Sequence, residues 1–172
     1  MLVVAIRNDA LSGYRNIMGQ SKLDIKHMEI EALSSLRSMY RNELTPFALV
    51  DIGASQVRVA IIHYGMIMQY DVNNRASFGW TETLARSLNV SFEKAQELKH
   101  TVGLGNTMPN VAEALGTSIS TLESDIRNSI SRYEQAHTTV VDRIALVGGG
   151  SRMPGLVERL GSTFDKIGRA HV

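Results

Sequence analysis

Cysteine is absent from the 172 residues, which excludes disulfide staples, thiolate metal sites and a thiol nucleophile, and fits a reducing compartment such as the cytoplasm. Long apolar runs are missing as well. The longest, residues 1–6 and 59–62, stop far short of the roughly 20 residues that span a bilayer, and Arg7, Asn8 and Asp9 cut off any signal-peptide core. Charge of one sign is lacking: 18 Lys plus Arg stand against 17 Asp plus Glu, a net charge of +1. No global field therefore draws the chain to nucleic acid or to an acidic membrane surface, so neither a nucleic-acid partner nor a direct membrane span is expected. The five histidines, His27, His63, His100, His137 and His171, form no i, i+3 or i, i+4 pair, which excludes a zinc helix of the H-E-x-x-H kind.

What is present is ordinary. Hydrophobic residues at 44% and charged residues at 20% place the chain among folded proteins, and its length suits one domain or two small subdomains. Residues 1–6 read as a strand that begins at the first residue and needs neighbours to take its hydrogen bonds. The last six residues, Ile167, Gly168, Arg169, Ala170, His171 and Val172, are the translation of a common sequencing-adapter read, ATC GGA AGA GCA CAC GTC. The natural sequence is therefore expected to end near Lys166, and the chain to be an internal piece of something longer.

Asp9 opens a helical stretch with Leu11, Tyr14, Ile17 and Met18 on one stripe, and Gly19 offers a stop. Asp24, Ile25 and Met28 suggest a short extended piece, and from Glu29 the positions Ile30, Leu33, Leu36 and Tyr40 mark a helix ending before Pro46. Phe47 to Val50 reads as a strand broken by Gly53. Val57, Val59 and Ile61 then alternate as in a strand with one buried face, and Met66 to Val72 follows the Tyr64-Gly65 turn as a third. Helices are expected from Trp80 to Leu88 and from Phe92 to His100, the second capped by Ser91 with Glu93 in its first turn. Beyond Pro109, the positions Val111, Leu115, Ile119, Leu122, Ile126, Ile130 and Tyr133 step by 4, 4, 3, 4, 4 and 3, a seam along about seven helical turns that packs on its own protein or in a coiled coil. Ile144 to Val147 is the last strand, followed by three glycines and a helix with Pro154 near its first turn.

Two segments carry candidate chemistry. Val50-Asp51-Ile52-Gly53-Ala54-Ser55 delivers a carboxylate on a strand and then turns through small residues whose N–H groups can converge on an anion. Asp51 would repel phosphate, so its role there is to hold Mg2+ directly or through water; the same pattern also serves as a plain hairpin turn. Gly148-Gly149-Gly150-Ser151 lets backbone approach a flat or phosphorylated ligand beside a helix start. It is neither G-x-G-x-x-G nor a P-loop, and a tight strand-to-helix connection would look alike.

Together the two segments resemble the phosphate and adenosine loops of the actin-like ATPase superfamily. The run 48–55, Gly65, Leu84, residues 91–99, and Leu146 to Ser151 with Pro154-Gly155-Leu156 resembles more narrowly the PilM family of type IV pilus assembly proteins, which is FtsA-like. This resemblance implies an α/β fold: an actin-like (ribonuclease H-like) lobe, a mixed sheet flanked by helices with a helical insert, and an incomplete fold lacking the first phosphate loop. It implies that residues 1–27 end the extra (1C-like) subdomain, that 28–46 form a connecting helix, and that 47–166 form the second lobe with an insert at about 73–136. By the same resemblance, Asp51, Gly53, Ala54 and Ser55 contact ATP and Mg2+, with Asp51 as the metal residue. Gly148, Gly149, Gly150 and Ser151 form the adenosine loop, and Lys99 approaches the nucleoside. Gln96 stands where the family has Glu, and Gly79-Trp80 where it has Gly-Gly.

The function implied is an ATP-binding cytoplasmic scaffold that links nucleotide state to pilus partners at the inner membrane, among them a PilN-like cytoplasmic peptide, with self-association open and at most slow ATP hydrolysis. An FtsA-like cell-division protein and an adaptor that has lost nucleotide are the alternatives. No residue is singled out as catalytic, so a phosphotransferase reading finds no base.

Overall fold

The computed structural model describes residues 5–39, 44–165 and 167–169, in two compact units that divide after Ser38. The first unit holds helix α1 (Asn8–Gln20) and all but the last residue of α2 (Glu31–Met39). Gly19 lies inside α1 and does not end it. The stop is a Schellman motif in which Leu23 N–H donates to Met18 O (2.9 Å) and Lys22, at φ 56°, takes the left-handed position that glycine usually fills. The extended piece expected around Asp24 to Met28 is irregular backbone, as are residues 5–7; the rest of the strand expected at 1–6, and Tyr40, lie outside the described residues. On α2, Ala32 and Leu36 are buried and Leu33 half-buried.

The second unit is built on a five-stranded sheet, β1 (Phe47–Ile52), β2 (Val57–His63), β3 (Met66–Asn73), β4 (Arg143–Val147) and β5 (Ile167–Arg169), in spatial order β3-β2-β1-β4-β5. The first three strands form an antiparallel meander. Tyr64 (φ 50°) and Gly65 (φ 70°) both take positive φ between the facing residues His63 and Met66, the two-residue turn whose twist matches the strands it joins. β1 then pairs in parallel with β4, from Phe47 opposite Arg143 to Asp51 opposite Val147, so both strands end at one edge of the sheet. The alternation expected for β2 is not what it shows: Val57 and Val59 to Ile62 are all buried, as suits a strand between two neighbours and covered on both faces. Ile167, Gly168 and Arg169, within the segment set apart as adapter-derived, pair in parallel with Ile144, Ala145 and Leu146.

Between β3 and β4 lie three helices, α3 (Ser77–Leu88), α4 (Phe92–Thr101) and α5 (Pro109–His137). Pro109 occupies the first turn of α5, where its missing N–H costs nothing. The seam is as expected, with Val111, Leu115, Ile119, Leu122, Ile126 and Tyr133 at 3% exposure or less and Ile130 half-buried. It packs on α3 and on β2 and β3 of its own chain. The last helix, α6 (Leu156–Phe164), starts later than expected, because residues 149–152 first make a 3-10 turn and Gly155 caps the helix. Pro154 therefore sits outside α6, where its carbonyl accepts from Leu104 N–H at 2.8 Å. Leu156 and Leu160 join the α5 seam, Ala48, Val50, Ile52, Ile144 and Leu146 in one core.

Truncating a fully buried seam residue should leave a cavity that the sheet on one side and α3 on the other cannot collapse. Leu115→Ala is expected to lower unfolding stability by about 2–5 kcal/mol, while Val140→Ala, at a residue 63% exposed, changes it by less than about 0.5 kcal/mol. Urea unfolding of the two variants measures the difference.

Candidate functional site at the paired strand ends

Parallel pairing of β1 with β4 brings together the two segments singled out in the sequence. Asp51 faces Val147 across the ladder, and the chain then leaves β1 through residues 53–56 and β4 through residues 148–152. Gly148 has φ 83° and ψ 163°, a region open essentially to glycine alone. A Cβ built there would overlap Asp51 Oδ1 and the Ile52 carbonyl, and one on Gly150 would overlap Ile52 Cγ2. Both glycines are thus set by contact with β1. Gly149 differs: beyond its own turn, no atom of the described residues lies within 4 Å of where its Cβ would stand, and the residue is exposed. Ser151 closes the turn by donating its hydroxyl to Gly148 O at 2.7 Å.

The loop after β1 is held from one side. Gly53 N–H donates to Gln56 O (2.9 Å), while the carbonyls of Gly53 and Ala54 accept from the first two amides of α3, Ser77 N–H (3.3 Å) and Phe78 N–H (2.8 Å). Two of the amides that a helix start leaves unpaired are satisfied in this way. The amides of Ala54 and Ser55, both exposed, have no acceptor among the described residues.

Asp51 is half-buried and already engaged. Its Oδ1 lies against Gly148, and its Oδ2 accepts from Arg58 Nη1 at 3.3 Å. Arg58 also donates to Gln56 Oε1 at 3.0 Å, and Gln56 Nε2 donates to Asn74 Oδ1 at 3.1 Å. This partner of Asp51 was missed in the sequence, although the signal was there: a four-residue turn between Ile52 and Val57 places Asp51 opposite Arg58.

Lys99 reaches from α4 to α3 and is buried at 3% exposure. Its Nζ donates to Ser77 O (2.8 Å), Ser77 Oγ (2.8 Å) and Thr81 Oγ1 (2.6 Å). Burial pushes its pKa down to about 8 because desolvation disfavours the charged form. Gln96 sits beside it, with Oε1 accepting from Thr81 Oγ1 (2.7 Å) and Nε2 at 2.9 Å from His100 Nε2. Trp80, which had no interpretation in the sequence, is core: it is 3% exposed and packs with Leu84 and the α5 seam.

A family model described as cell division protein FtsA matches residues 48–171. Among solved structures, the chain is similar to a chain of a PilM-PilN type IV pilus biogenesis complex, with a TM-score of 0.83 at 20% identity over 96% of this chain and 48% of that one. It is also similar to MreB5 of Spiroplasma citri bound to AMPPNP, with a TM-score of 0.77 at 12% identity over 96% and 61%. A third likeness is to the ethanolamine utilization protein EutJ from Carboxydothermus hydrogenoformans, with a TM-score of 0.73 at 19% identity over 90% and 54%. No curated protein matches. The fold is therefore the actin-like one expected from the sequence, and the chain spans about half the length of the structures it overlays.

Two outcomes follow from the contacts. Gly148→Ala should cost about 1–3 kcal/mol through its backbone region alone, with the overlap on Asp51 and Ile52 added, whereas Gly149→Ala should be nearly neutral; thermal unfolding separates them. Lys99 titrates near 8 when folded against an ordinary 10.5, so between those values the unfolded chain binds more protons and stability rises with pH. A stability profile from pH 7.5 to 11 should show this rise in the parent and a flatter course in Lys99→Met.

Proposed function

Because the chain belongs to the family of the cell division protein FtsA, we propose that it is the nucleotide-facing lobe of an actin-like scaffold that binds Mg-ATP and couples the bound state to partners at the inner membrane. The observation that carries this reading is the abutment of Asp51 and Ile52 against Gly148 and Gly150, which sets the loop with two outward amides beside the open glycine loop. The amides of Ala54 and Ser55 would receive phosphate oxygens, and the exposed backbone at Gly149 would lie against the adenosine, followed by Ser151. A magnesium ion arriving with the nucleotide would offset phosphate charge. Such an ion keeps several of its waters, so Asp51 would meet it through water while still paired with Arg58.

Nucleotide acts here as a switch. Binding between this lobe and a second one favours a closed arrangement, and partner affinity follows the closed population. The partner proposed is a short cytoplasmic peptide of a PilN-like membrane protein, in keeping with the PilM-PilN complex on which the chain overlays; contact between copies of the scaffold is a further part of the proposal. No helix among the described residues is long and apolar enough to cross a membrane, so attachment through a partner suits the chain. The family description favours a second reading, service in cell division, and the identity of the captured membrane peptide distinguishes the two.

The test is a Mg-ATP titration by calorimetry on the chain joined to the remaining half of a PilM-length protein, with Gly149→Val beside it. No protein atom crowds Gly149, so the variant should fold as the parent does and lose at least about tenfold in affinity, some 1.4 kcal/mol. Equal affinity for parent and variant removes the adenosine-loop assignment. No binding by either leaves the chain an adaptor without nucleotide.

A further inference from the structure

We propose that Lys99 is a positioning residue which fixes the anion-facing loop at residues 53–56 through the first turn of α3. Its ammonium comes from α4 and binds three oxygens of α3, the Ser77 carbonyl, Ser77 Oγ and Thr81 Oγ1, at 2.6–2.8 Å. That same first turn donates Ser77 N–H to Gly53 O and Phe78 N–H to Ala54 O. One connected path of hydrogen bonds therefore runs from α4 through α3 to the loop. It determines that the Gly53 and Ala54 carbonyls turn toward α3 and leaves the Ala54 and Ser55 amides on the outside.

Burial makes this lysine informative. Among the described residues it is the one charged side chain that is buried, and its three partners are uncharged. A cation withdrawn from water without a counter-ion is costly. Neither the positive end of α3 nor the loop amides offset that cost, since both favour an anion and not a cation. A phosphate on the loop, as the proposed function requires, would add the missing negative charge. The groups facing the ammonium are Ser77 and Thr81 from α3 and, from α4, Gln96 through Thr81, with His100 the titratable group beyond it. Since a bound anion stabilises the charged form of Lys99, reciprocity requires that anion affinity fall as pH rises through about 8.

Amide hydrogen exchange on the 172-residue chain without nucleotide tests the tie directly. In Lys99→Met the Ser77 and Phe78 amides should exchange about tenfold faster or more, while Ala48 and Leu146 in the sheet keep the parent rate. Unchanged exchange at Ser77 and Phe78 overturns the proposal. Should Lys99→Met fail to fold, the isosteric Thr81→Val removes one of the three acceptors and must raise exchange at the same two amides, or the proposal falls.

The ligand arm rests on the reading above and is measured separately, as Mg-ATP affinity from pH 7 to 9 in the completed protein. The parent and His100→Gln should both weaken across this range, and Lys99→Met should be weaker and flat. A parent-like profile in Lys99→Met overturns the positioning role. If no form binds ATP while exchange at Ser77 and Phe78 still responds, the tie stands and the nucleotide reading falls.

Discussion

Everything at the candidate site depends on the parallel register of β1 and β4, which sets Asp51 beside Val147 and so makes both strands end at one edge. A parallel pair requires a long crossover, and here the crossover is the β2–β3 hairpin followed by α3, α4 and α5. Burying the α5 seam against this sheet and α3 draws β4 back to β1's flank. Local glycines then do what the register permits. With a side chain at Gly148 or Gly150, the turn after β4 would be driven away from Asp51 and Ile52, and the two loops would no longer share a surface.

The crossover also holds the first loop in shape. A loop of small residues leaving a strand has many conformations open to it, and fixing each residue costs on the order of 1–2 kcal/mol in backbone entropy. Two amides of α3 meet that need by donating to the Gly53 and Ala54 carbonyls. The helix start is thereby used internally, and the amides that remain outward belong to the loop. Anything that moves α3 along its axis moves Ala54 and Ser55 with it, which gives the insert a mechanical link to the strand ends although its own helices lie elsewhere.

Much of this was legible in the sequence, for identifiable reasons. The 4, 4, 3 stepping of the long helix, the Ser91 cap, whose hydroxyl accepts from Lys94 N–H at 3.2 Å, and the Tyr64-Gly65 turn are local patterns, and each was found where expected. Both glycine loops were legible because strand ends followed by small residues stand out against apolar runs. Legibility failed where tertiary packing decides. Nothing local says that Lys22 rather than Gly19 ends α1, or that β2 is covered on both faces. That the Lys99 ammonium lies among Ser77 and Thr81 depends on how α4 packs against α3, which no spacing encodes. Arg58 is legible only by counting across the four-residue turn, because the alternation of Val57, Val59 and Ile61 by itself gives it no partner.

Arg58 changes what an acidic residue means at the proposed anion site. A lone carboxylate on β1 would oppose phosphate on the neighbouring amides, since two like charges a few ångströms apart near a protein surface repel by several kcal/mol at an effective dielectric of about 20. Asp51 is not alone: Arg58 lies 3.3 Å from one oxygen, with both side chains roughly three-quarters withdrawn from water. The pair is close to neutral as seen from the loop, and the Lys99 ammonium, whose partners are uncharged oxygens, sits behind the first turn of α3. An acid at the start of the segment therefore does not by itself set the loop against an anion. The carboxylate still packs against Gly148 and so joins the two loops, and under the proposed function it would also accept from a hydrated cation.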